Sequence, residues 1–397
     1  MKIGIEVQRL FRKQKFGIET SSLELVKTLR EIDSKNEFVI FAKDDVDHNC
    51  LEASANLKIK TVAGKLFMDF EQFFLPVAAA NEHVDILHCT GNTAPLFSPV
   101  PIVQTLHDVI FMDAIPATDT FYQRFGNHYR RKMVPLVTPR SRAVITVSQF
   151  EKERIIQRLA IPREKIHVVY NGINEQHFKN SFSPARQDAV RRKYRLPDSF
   201  ILFLGNEAAR KNAARVIEAY LKYAADNDRA MPLVTPGLSQ QYITDRLKAL
   251  DYPYNTRQFV TPGYIADEDL PVLYNLCHIF LFPSLSEGFG MPLAEAMACG
   301  APVVTSNISC LPEIAGNAAV LTNPLQAEEI ASGIIALATN EELRQKKIQL
   351  GLHNSKRFSW QRAAERVLGL YEAVFSEAQA MQKQTGFFQR HVFAPRH

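Results

Sequence analysis

FLFPSLSEGFGMPLAEAMACGAPVVTSNISCLP, Phe280 to Pro312, is the stretch from which the fold can be read. The apolar run Ile279–Pro283 reads as a strand buried on both faces. It breaks at a polar, glycine-bearing turn, Ser284 to Gly290, and a helix is expected to open at Pro292. Proline suits a first helical turn, where its missing N–H has no partner to lose. Gly300 stops that helix, and a second apolar strand, Pro302 to Thr305, follows. Such a strand–loop–helix–strand unit belongs to a parallel sheet, and its loop lies at the carboxyl end of the strand, where open α/β sheets bind ligands. Glu287 precedes the glycines and Glu295 falls in the first turn or so of the helix. The helix dipole favours carboxylates there, so Glu295 taken alone is as well explained by capping as by binding. Gly288 and Gly290 tip the balance, because residues without side chains leave backbone N–H groups at a helix N-terminus open to an anion.

A chain of 397 residues is too long for one ordinary domain; at about 150 residues each it divides into two or three. Its net charge of +5 fits acidic small-molecule substrates or an anionic membrane surface without selecting either. The N-terminal MKIGIEV starts directly in a strand pattern, so neither a leader nor a spanning helix is expected. Cys50, Cys89, Cys277, Cys299 and Cys310 are odd in number and lack a C-x-x-C pair, which predicts reduced thiols in a cytoplasmic protein. The histidines show no metal-ligand spacing, so no metal is expected.

Short apolar runs alternate with helical periodicity from end to end, the pattern of βαβ construction. Strands are expected at Lys2–Val7, Glu37–Ala42, Lys58–Val62, Ile86–His88, Ile102–Leu106, Ala143–Val147 and Ile166–Val169, with helices at Ser21–Ile32, Glu71–Asn81, Phe121–Val137 and Ser148–Leu159. Ser148 and Glu151 have capping-box spacing. Tyr170–Pro184, with Asn171-Gly172 and few apolar residues, reads as a linker. A second series follows: strands Phe200–Leu204, Pro232–Thr235 and Gln258–Thr261, helices Asn212–Ala225, Gln240–Leu250 and Glu268–Leu276, and the unit that opened this reading. Helices at Ala327–Ala338, Glu341–Arg357 and Ser359–Phe375 close the chain. Arg210 and Lys211, in FLGNEAARKN (Phe203–Asn212), fall at the carboxyl edge of a strand, directed to the same crevice as Glu287.

The segment P-S-L-S-E-G-F-G-M-P-L-A-E-A-M-A-C-G-A-P-V-V, with seven residues between its two glutamates, resembles the signature of the family-4 retaining glycosyltransferases. The resemblance spans nearly the whole chain. It implies a GT-B fold, two doubly wound Rossmann-like domains facing across a cleft: residues 1–178 binding acceptor, 179–375 binding the nucleotide sugar, and 376–397 packing back on the first domain. Arg210 and Lys211 would then hold the donor diphosphate. A leaving nucleoside diphosphate gains negative charge in the transition state, and preorganised cations stabilise it without a metal. The chain departs from the commonest family version at Asn206, where an arginine usually follows the first glycine, and Arg210 is read as its substitute. By the same resemblance Glu295 accepts from ribose hydroxyls and Glu287 from hydroxyls of the transferred sugar. Backbone N–H groups of Phe289, Gly290 and Met291 face sugar and phosphate. PGYIADEDL, Pro262–Leu270, lines the base pocket, with backbone contacts near Tyr264 and Ile265, while Asp267 is read as a helix N-cap. No cofactor is implied beyond a GDP- or UDP-linked donor acting as substrate.

For the acceptor half, QTLHDV (Gln104–Val109) resembles the family T-x-H-D, which places His107 against the transferred sugar; a lone histidine is otherwise most often satisfied within a core. Asp108 is read as structural. KQKFGIETSS, Lys13–Ser22, keeps only Gly17 of the family's phosphate-facing glycines, so a plain turn remains nearly as good a reading. From Thr120 to Phe150 there is no acidic residue, while Arg124, Arg130, Arg131, Lys132, Arg140 and Arg142 interleave with Phe121, Tyr122, Phe125 and Tyr129. Residues 120–142 can therefore make a peripheral contact with the inner face of a membrane or with a lipid-linked acceptor, or form an ordinary solvated face. Nucleic acid is a poor partner for so modest a charge.

The resulting expectation is an α-retaining, metal-independent hexosyltransferase of surface-polysaccharide or lipopolysaccharide synthesis, working by front-face substitution. Mannose from a GDP donor is the choice this motif style favours. The rivals are a nucleotide-sugar 2-epimerase on the same fold, a phosphorylase, for which no pyridoxal-phosphate lysine motif is present, and a non-catalytic binding shell, which would be expected to have lost these side chains. A dehydrogenase would need G-x-G-x-x-G after the first strand, which is absent.

Overall fold

The computed structural model of the chain describes residues 1–113, 121–225, 227, 229–253 and 258–392, without the side chains of 121–123 and 382–392. These residues form two compact units, one built from 1–113, 121–172 and 360–392, the other from 173–359.

The first unit holds seven parallel strands, β1 (Lys2–Glu6), β2 (Glu37–Ala42), β3 (Leu57–Thr61), β4 (Ile86–Cys89), β5 (Ile102–Thr105), β6 (Ala143–Thr146) and β7 (Ile166–Val168), in the order β3-β2-β1-β4-β5-β6-β7. The inner strands β2, β4, β5 and β6 are buried along nearly their whole length because helices cover both faces, while the edge strands β3 and β7 are partly exposed. On one face, Leu23, Val26 and Leu29 of helix Gly17–Ile32 join Ile3, Ile5 and Ile40 in one core. On the other, Leu75 and Ala79 pack with Val39, Phe41 and Leu87.

The long helix Trp360–Val392 belongs to this unit from its first turn, which corrects the expected boundary at residue 375. The reason is packing: Ala363, Ala364, Val367, Tyr371 and Val374 are buried in the core of β1 and helix Gly17–Ile32. Gly172 makes the approach feasible, since a Cβ there would lie 2.2 Å from the Trp360 nitrogen. The helix continues to Val392; 393–397 lie outside the described residues.

The second unit holds six parallel strands, β8 (Ile201–Phe203), β9 (Leu233–Val234), β10 (Phe259–Val260), β11 (Ile279–Phe282), β12 (Val303–Ser306) and β13 (Ala319–Thr322), in the order β10-β9-β8-β11-β12-β13. β13 and the short helix Leu311–Ala315 escaped sequence reading, being too brief to show a period. So did helix Pro184–Tyr194, just beyond the supposed linker, because only Val190 and Tyr194 of it are buried. Its anchor is polar. Arg186, Lys193 and the Tyr194 hydroxyl all reach the carboxylate of Asp269, which is buried.

Both sheets reverse strand order once, between β1 and β4 and between β8 and β11. Ligands bind open α/β sheets at such switch points, outside the carboxyl ends of the strands. No helix among the described residues is long and apolar enough to cross a membrane.

Candidate active site

Arg210 and Lys211 follow β8, and Glu287 follows β11, so the second switch point brings them together. The two cations sit on a short 3-10 turn, Ala209–Lys211, ahead of helix Ala213–Ala224 rather than in its first turn. The unfavourable helix dipole therefore falls on Asn212, not on them. Asn212, at φ +63°, turns the chain into the helix while its amide donates to Pro283 O (3.1 Å) and Pro324 O (2.7 Å). Leu285 N donates to Arg210 O at 2.8 Å, a further tie between the two loops.

Across that tie, Arg210 Nη1 lies 3.0 Å from both oxygens of Glu287, and Lys211 Nζ lies 2.6 Å from Oε1. Ser309 holds the backbone of Glu287 from the far side, its Oγ accepting from Glu287 N (3.0 Å) and donating to Glu287 O (2.9 Å). Lys211 Nζ also stands 5.0 Å from the centre of the Phe282 ring, an apolar wall. Burial pulls its ammonium pKa below the ordinary value even with Glu287 opposing, and the neighbouring Arg210 adds to the fall. Two cations thus share one carboxylate, and the cluster keeps an excess positive charge at a ligand-binding edge.

Gly290 precedes helix Met291–Ala298 at φ +87°, a left-handed conformation suited to glycine, and a Cβ there would meet Leu311 Cδ2 at 2.8 Å. The helix opens one residue earlier than Pro292, and its positive end lies beside the turn that carries Glu287. Phe289 is buried edge-on against Phe358, 5.3 Å between ring centres, so only its backbone can face a ligand. Glu295 is not joined to the cation cluster. It accepts from the Tyr274 hydroxyl at 3.2 Å, and burial, with Asp267 adding, pushes its carboxyl up to about 7. Tyr264 is exposed and donates to Asp267 Oδ1 (3.3 Å), while Ile265 is buried. The residue at the N-cap of helix Leu270–Leu276 is Asp269 rather than the expected Asp267.

His107 and Gly17 belong to the first unit. His107 follows β5 and is buried; its Nε2 lies 3.0 Å from Thr90 O, and its backbone N donates to Asn92 Oδ1 at 2.7 Å. Facing a carbonyl, Nε2 carries the hydrogen and Nδ1 is left as an acceptor. Burial lowers the imidazole pKa, with Asp108, the Thr90 carbonyl and Glu19 opposing. The Asp108 carboxylate accepts from Ile110 N at 3.0 Å. His107, Ser21, Ser22, Thr90 and Thr105 line a cavity of about 30 Å³, room for about one water. Gly17 is the first residue of helix Gly17–Ile32, after the N-cap Phe16, and a Cβ there meets nothing within 4 Å. Ser148 caps its helix at Glu151 N (3.1 Å), while the Glu151 carboxylate accepts from Val109 N (3.1 Å) beside His107.

Sequence reading missed the polar groups beneath this edge. Glu6 ends β1, buried, its carboxyl pushed up to about 7 by burial, and it accepts from Gln8 N at 2.8 Å. Glu71 is buried nearby, hydrogen-bonded to Thr93 and, at 2.7 Å, to the Tyr129 hydroxyl. His88 sits between Tyr371 Oη (2.6 Å) and Thr105 Oγ1 (2.7 Å). A carboxylate closing an apolar strand, as in KIGIE, was the available signal.

Two family models match the chain in succession, "Glycosyltransferase Family 4" over residues 17–177 and "Glycosyl transferases group 1" over 186–351. A serotype-specific mannosyltransferase, WbdA, of Escherichia coli is 32% identical over 242 residues, which are 60% of this chain and 29% of that protein. The chain thus spans about three-tenths of the length of that relative. The O-antigen chain mannosyltransferase B of Escherichia coli is 29% identical over 272 residues, 68% of this chain and 70% of that one. Among solved structures, a sucrose-phosphate synthase from Thermosynechococcus elongatus superposes with a TM-score of 0.73 at 17% identity, over 95% of this chain and 99% of that one. HepE of Anabaena, in complex with UDP and glucose, gives 0.71 at 18% identity, over 94% of this chain and 100% of that one.

Proposed function

Because the chain belongs to the family-4 glycosyltransferases of GT-B fold, we propose that it transfers a hexose from a nucleotide sugar to a hydroxyl of a glycan or lipid-linked acceptor. The two mannosyltransferase relatives support mannose as the sugar and surface polysaccharide or lipopolysaccharide as the product; GDP-mannose is the donor we propose, with a UDP-linked sugar as the alternative. The observation that carries the reading is the Arg210–Glu287–Lys211 cluster at the second switch point.

Fixed cations beside the positive end of a helix suit a diphosphate, which holds more charge than the single carboxylate now between them. When the glycosidic bond to that diphosphate breaks, negative charge grows on the leaving oxygen, and Arg210 and Lys211 are already in place to meet it. The chemistry can then run without a metal. Glu287, displaced from the cations by phosphate, is free to accept from hydroxyls of the hexose. Glu295 accepts from the ribose, and the backbone near Tyr264 and Ile265 meets the base. His107 offers a neutral imidazole to the sugar. Transfer with retention follows if the leaving oxygen takes the acceptor proton on the same face, so that no protein nucleophile is needed. A cytoplasmic location belongs to the same proposal, supported by the free state of the five cysteines.

The test is thermal stabilisation by GDP, UDP and their sugars, followed by proton NMR of the product formed from the best donor. A ligand held at 100 times its Kd stabilises the native state by about 2.7 kcal/mol, well within detection. An α-anomeric product from GDP-mannose is expected. No shift with any nucleoside diphosphate would end the reading, and an inverted anomeric centre would end the front-face mechanism.

A further inference from the structure

Three exposed aromatic side chains of the first unit flank one glutamine and its hydrogen-bond partners. Gln72 lies in a π turn, Phe70–Phe74, between helices Phe67–Asp69 and Leu75–Asn81. Its Nε2 donates to Ala94 O (3.2 Å) and lies 2.8 Å from the Tyr129 hydroxyl, and its Oε1 accepts from Leu96 N (2.9 Å). One side chain therefore joins three segments, and each carries an exposed aromatic beside the joint. Phe73, 70% exposed, adjoins Gln72; Phe97, 81% exposed, adjoins Leu96; Phe125, 45% exposed, lies one helical turn before Tyr129. Val77, four residues after Phe73 and 58% exposed, extends the ridge. An apolar cluster of this kind, on a unit whose cores are otherwise closed, marks a contact surface.

Charge selects the occupant. Between Gly64 and Asn81 the carboxylates are Asp69 and Glu71. Asp69 accepts from the N–H groups of Lys65, Leu66 and Phe70, and Glu71 is buried. On the neighbouring helix, Phe121–Val137, Arg124 and Lys132 are exposed, and no acidic residue occurs from 120 to 150. Arg131 is turned inward to the carbonyls of Phe111 and Asp113, so the basic stretch contributes only part of its charge. Aromatic side chains at headgroup level and cations facing anionic lipid are the two halves of an interfacial contact. Glu71 and Thr93 tie the same joint to the loop after β4, at the carboxyl edge of the first sheet. If the glycosyltransferase reading holds, the headgroup of a lipid-linked acceptor would arrive at that edge; the lipid contact itself does not depend on it.

We infer that Phe73, Val77, Phe97 and Phe125 seat the first unit on an anionic lipid surface, with Arg124 and Lys132 meeting its headgroups. The full chain is sedimented with vesicles of phosphatidylcholine alone or with about one-third phosphatidylglycerol, an anionic surface of the kind that basic segments recognise. Wild type binds the anionic vesicles, less so at high salt, and Phe73→Ser/Phe97→Ser lowers the partition coefficient at least about tenfold. The variant keeps the wild-type melting temperature and the wild-type response to GDP and UDP. Failure of wild type to bind, or equal binding by the variant, overturns the inference. So does self-association of wild type that the variant abolishes, which would assign the ridge to a second copy. Absence of any nucleotide response, with vesicle binding intact, would instead fail the glycosyltransferase reading alone.

Discussion

The carboxyl edges of the two sheets share one switch-point geometry and differ in charge. At the edge of the second sheet, Arg210 and Lys211 each lie within 3.0 Å of the Glu287 carboxylate as ion pairs. At the edge of the first, the titratable groups are buried and driven toward neutrality: Glu6 up to about 7, His88 down to about 3, His107 below its ordinary value, in each case chiefly by burial. A diphosphate needs preset charge, because desolvating a new ion pair during reaction is costly, whereas an acceptor hydroxyl needs only well-aimed neutral donors and acceptors. The first arrangement suits the donor half of a transfer reaction and the second suits the acceptor half.

The comparison would break most visibly at Lys211. Lys211→Ala removes one of two cations from a water-poor site, and turnover at saturating donor should fall about 100- to 1000-fold, as for loss of one transition-state donor. Folding should persist, because Asn212 and Leu285 still tie the loops. Steady-state kinetics beside a denaturation curve checks both; wild-type turnover in a folded variant would remove the cations from the chemistry. Glu287→Gln sharpens the same point. With the resident carboxylate neutralised, GDP or UDP no longer competes with it, so free nucleoside diphosphate should bind about three- to tenfold tighter, an effect held modest by the 42% exposure of the Arg210 side chain. Turnover should fall at the same time, since sugar hydroxyls lose their acceptor. Calorimetry showing unchanged or weaker nucleotide binding would refute the competition.

Why the two edges were unequally readable in the sequence follows from the same contrast. Arg210 with Lys211, and Glu287 with Glu295, each sit at a fixed spacing along one strand–loop–helix passage, after β8 and after β11, so they could be singled out from the linear string. The contacts that aim them are scattered. Ser309 lies 22 residues from Glu287, and Asn212 lies 71 from Pro283. At the edge of the first sheet, Glu6, Glu71, Thr93 and Tyr129 meet only through the fold, and burial rather than spacing sets their state. The architecture was legible because twelve of the thirteen strands among the described residues show as short apolar runs alternating with helical periods. Helix Pro184–Tyr194 was not, because a buried Asp269, not an apolar face, fixes it.

A smaller effect distinguishes Glu295 from its counterparts in the first unit. Its carboxyl titrates at about 7 in the native state against an ordinary 4.5, so the native state holds the proton longer than the unfolded chain does. That contribution to stability is complete below about 4.5 and is lost as pH rises through 7. Ribose hydroxyls donating to the carboxylate would favour its ionised form. Nucleotide binding near pH 6 should then release up to about one proton, measurable by calorimetry in buffers of different ionisation enthalpy. Glu6 and Glu151 also titrate near 7, so the assignment rests on Glu295→Gln, which should abolish the release. Release that survives in that variant would move the ribose away from Glu295.

The smallest expected effect compares one glycine from each edge. Gly290 sits at φ +87° with Leu311 Cδ2 2.8 Å from where a Cβ would be, and an L side chain in that backbone region costs about 1–2 kcal/mol before any clash. Gly290→Ala should therefore lower the denaturation midpoint and, by tilting the helix that begins at Met291, weaken nucleotide binding as well. Gly17 opens its helix with open space around it, so Gly17→Ala should raise stability by about 0.4–1 kcal/mol through the unfolded chain and leave nucleotide affinity unchanged. Nucleotide affinity lost in Gly290→Ala and kept in Gly17→Ala would place the phosphate-facing glycine in the second unit. A loss of nucleotide affinity in Gly17→Ala would restore the role that the open space around Gly17 argues against.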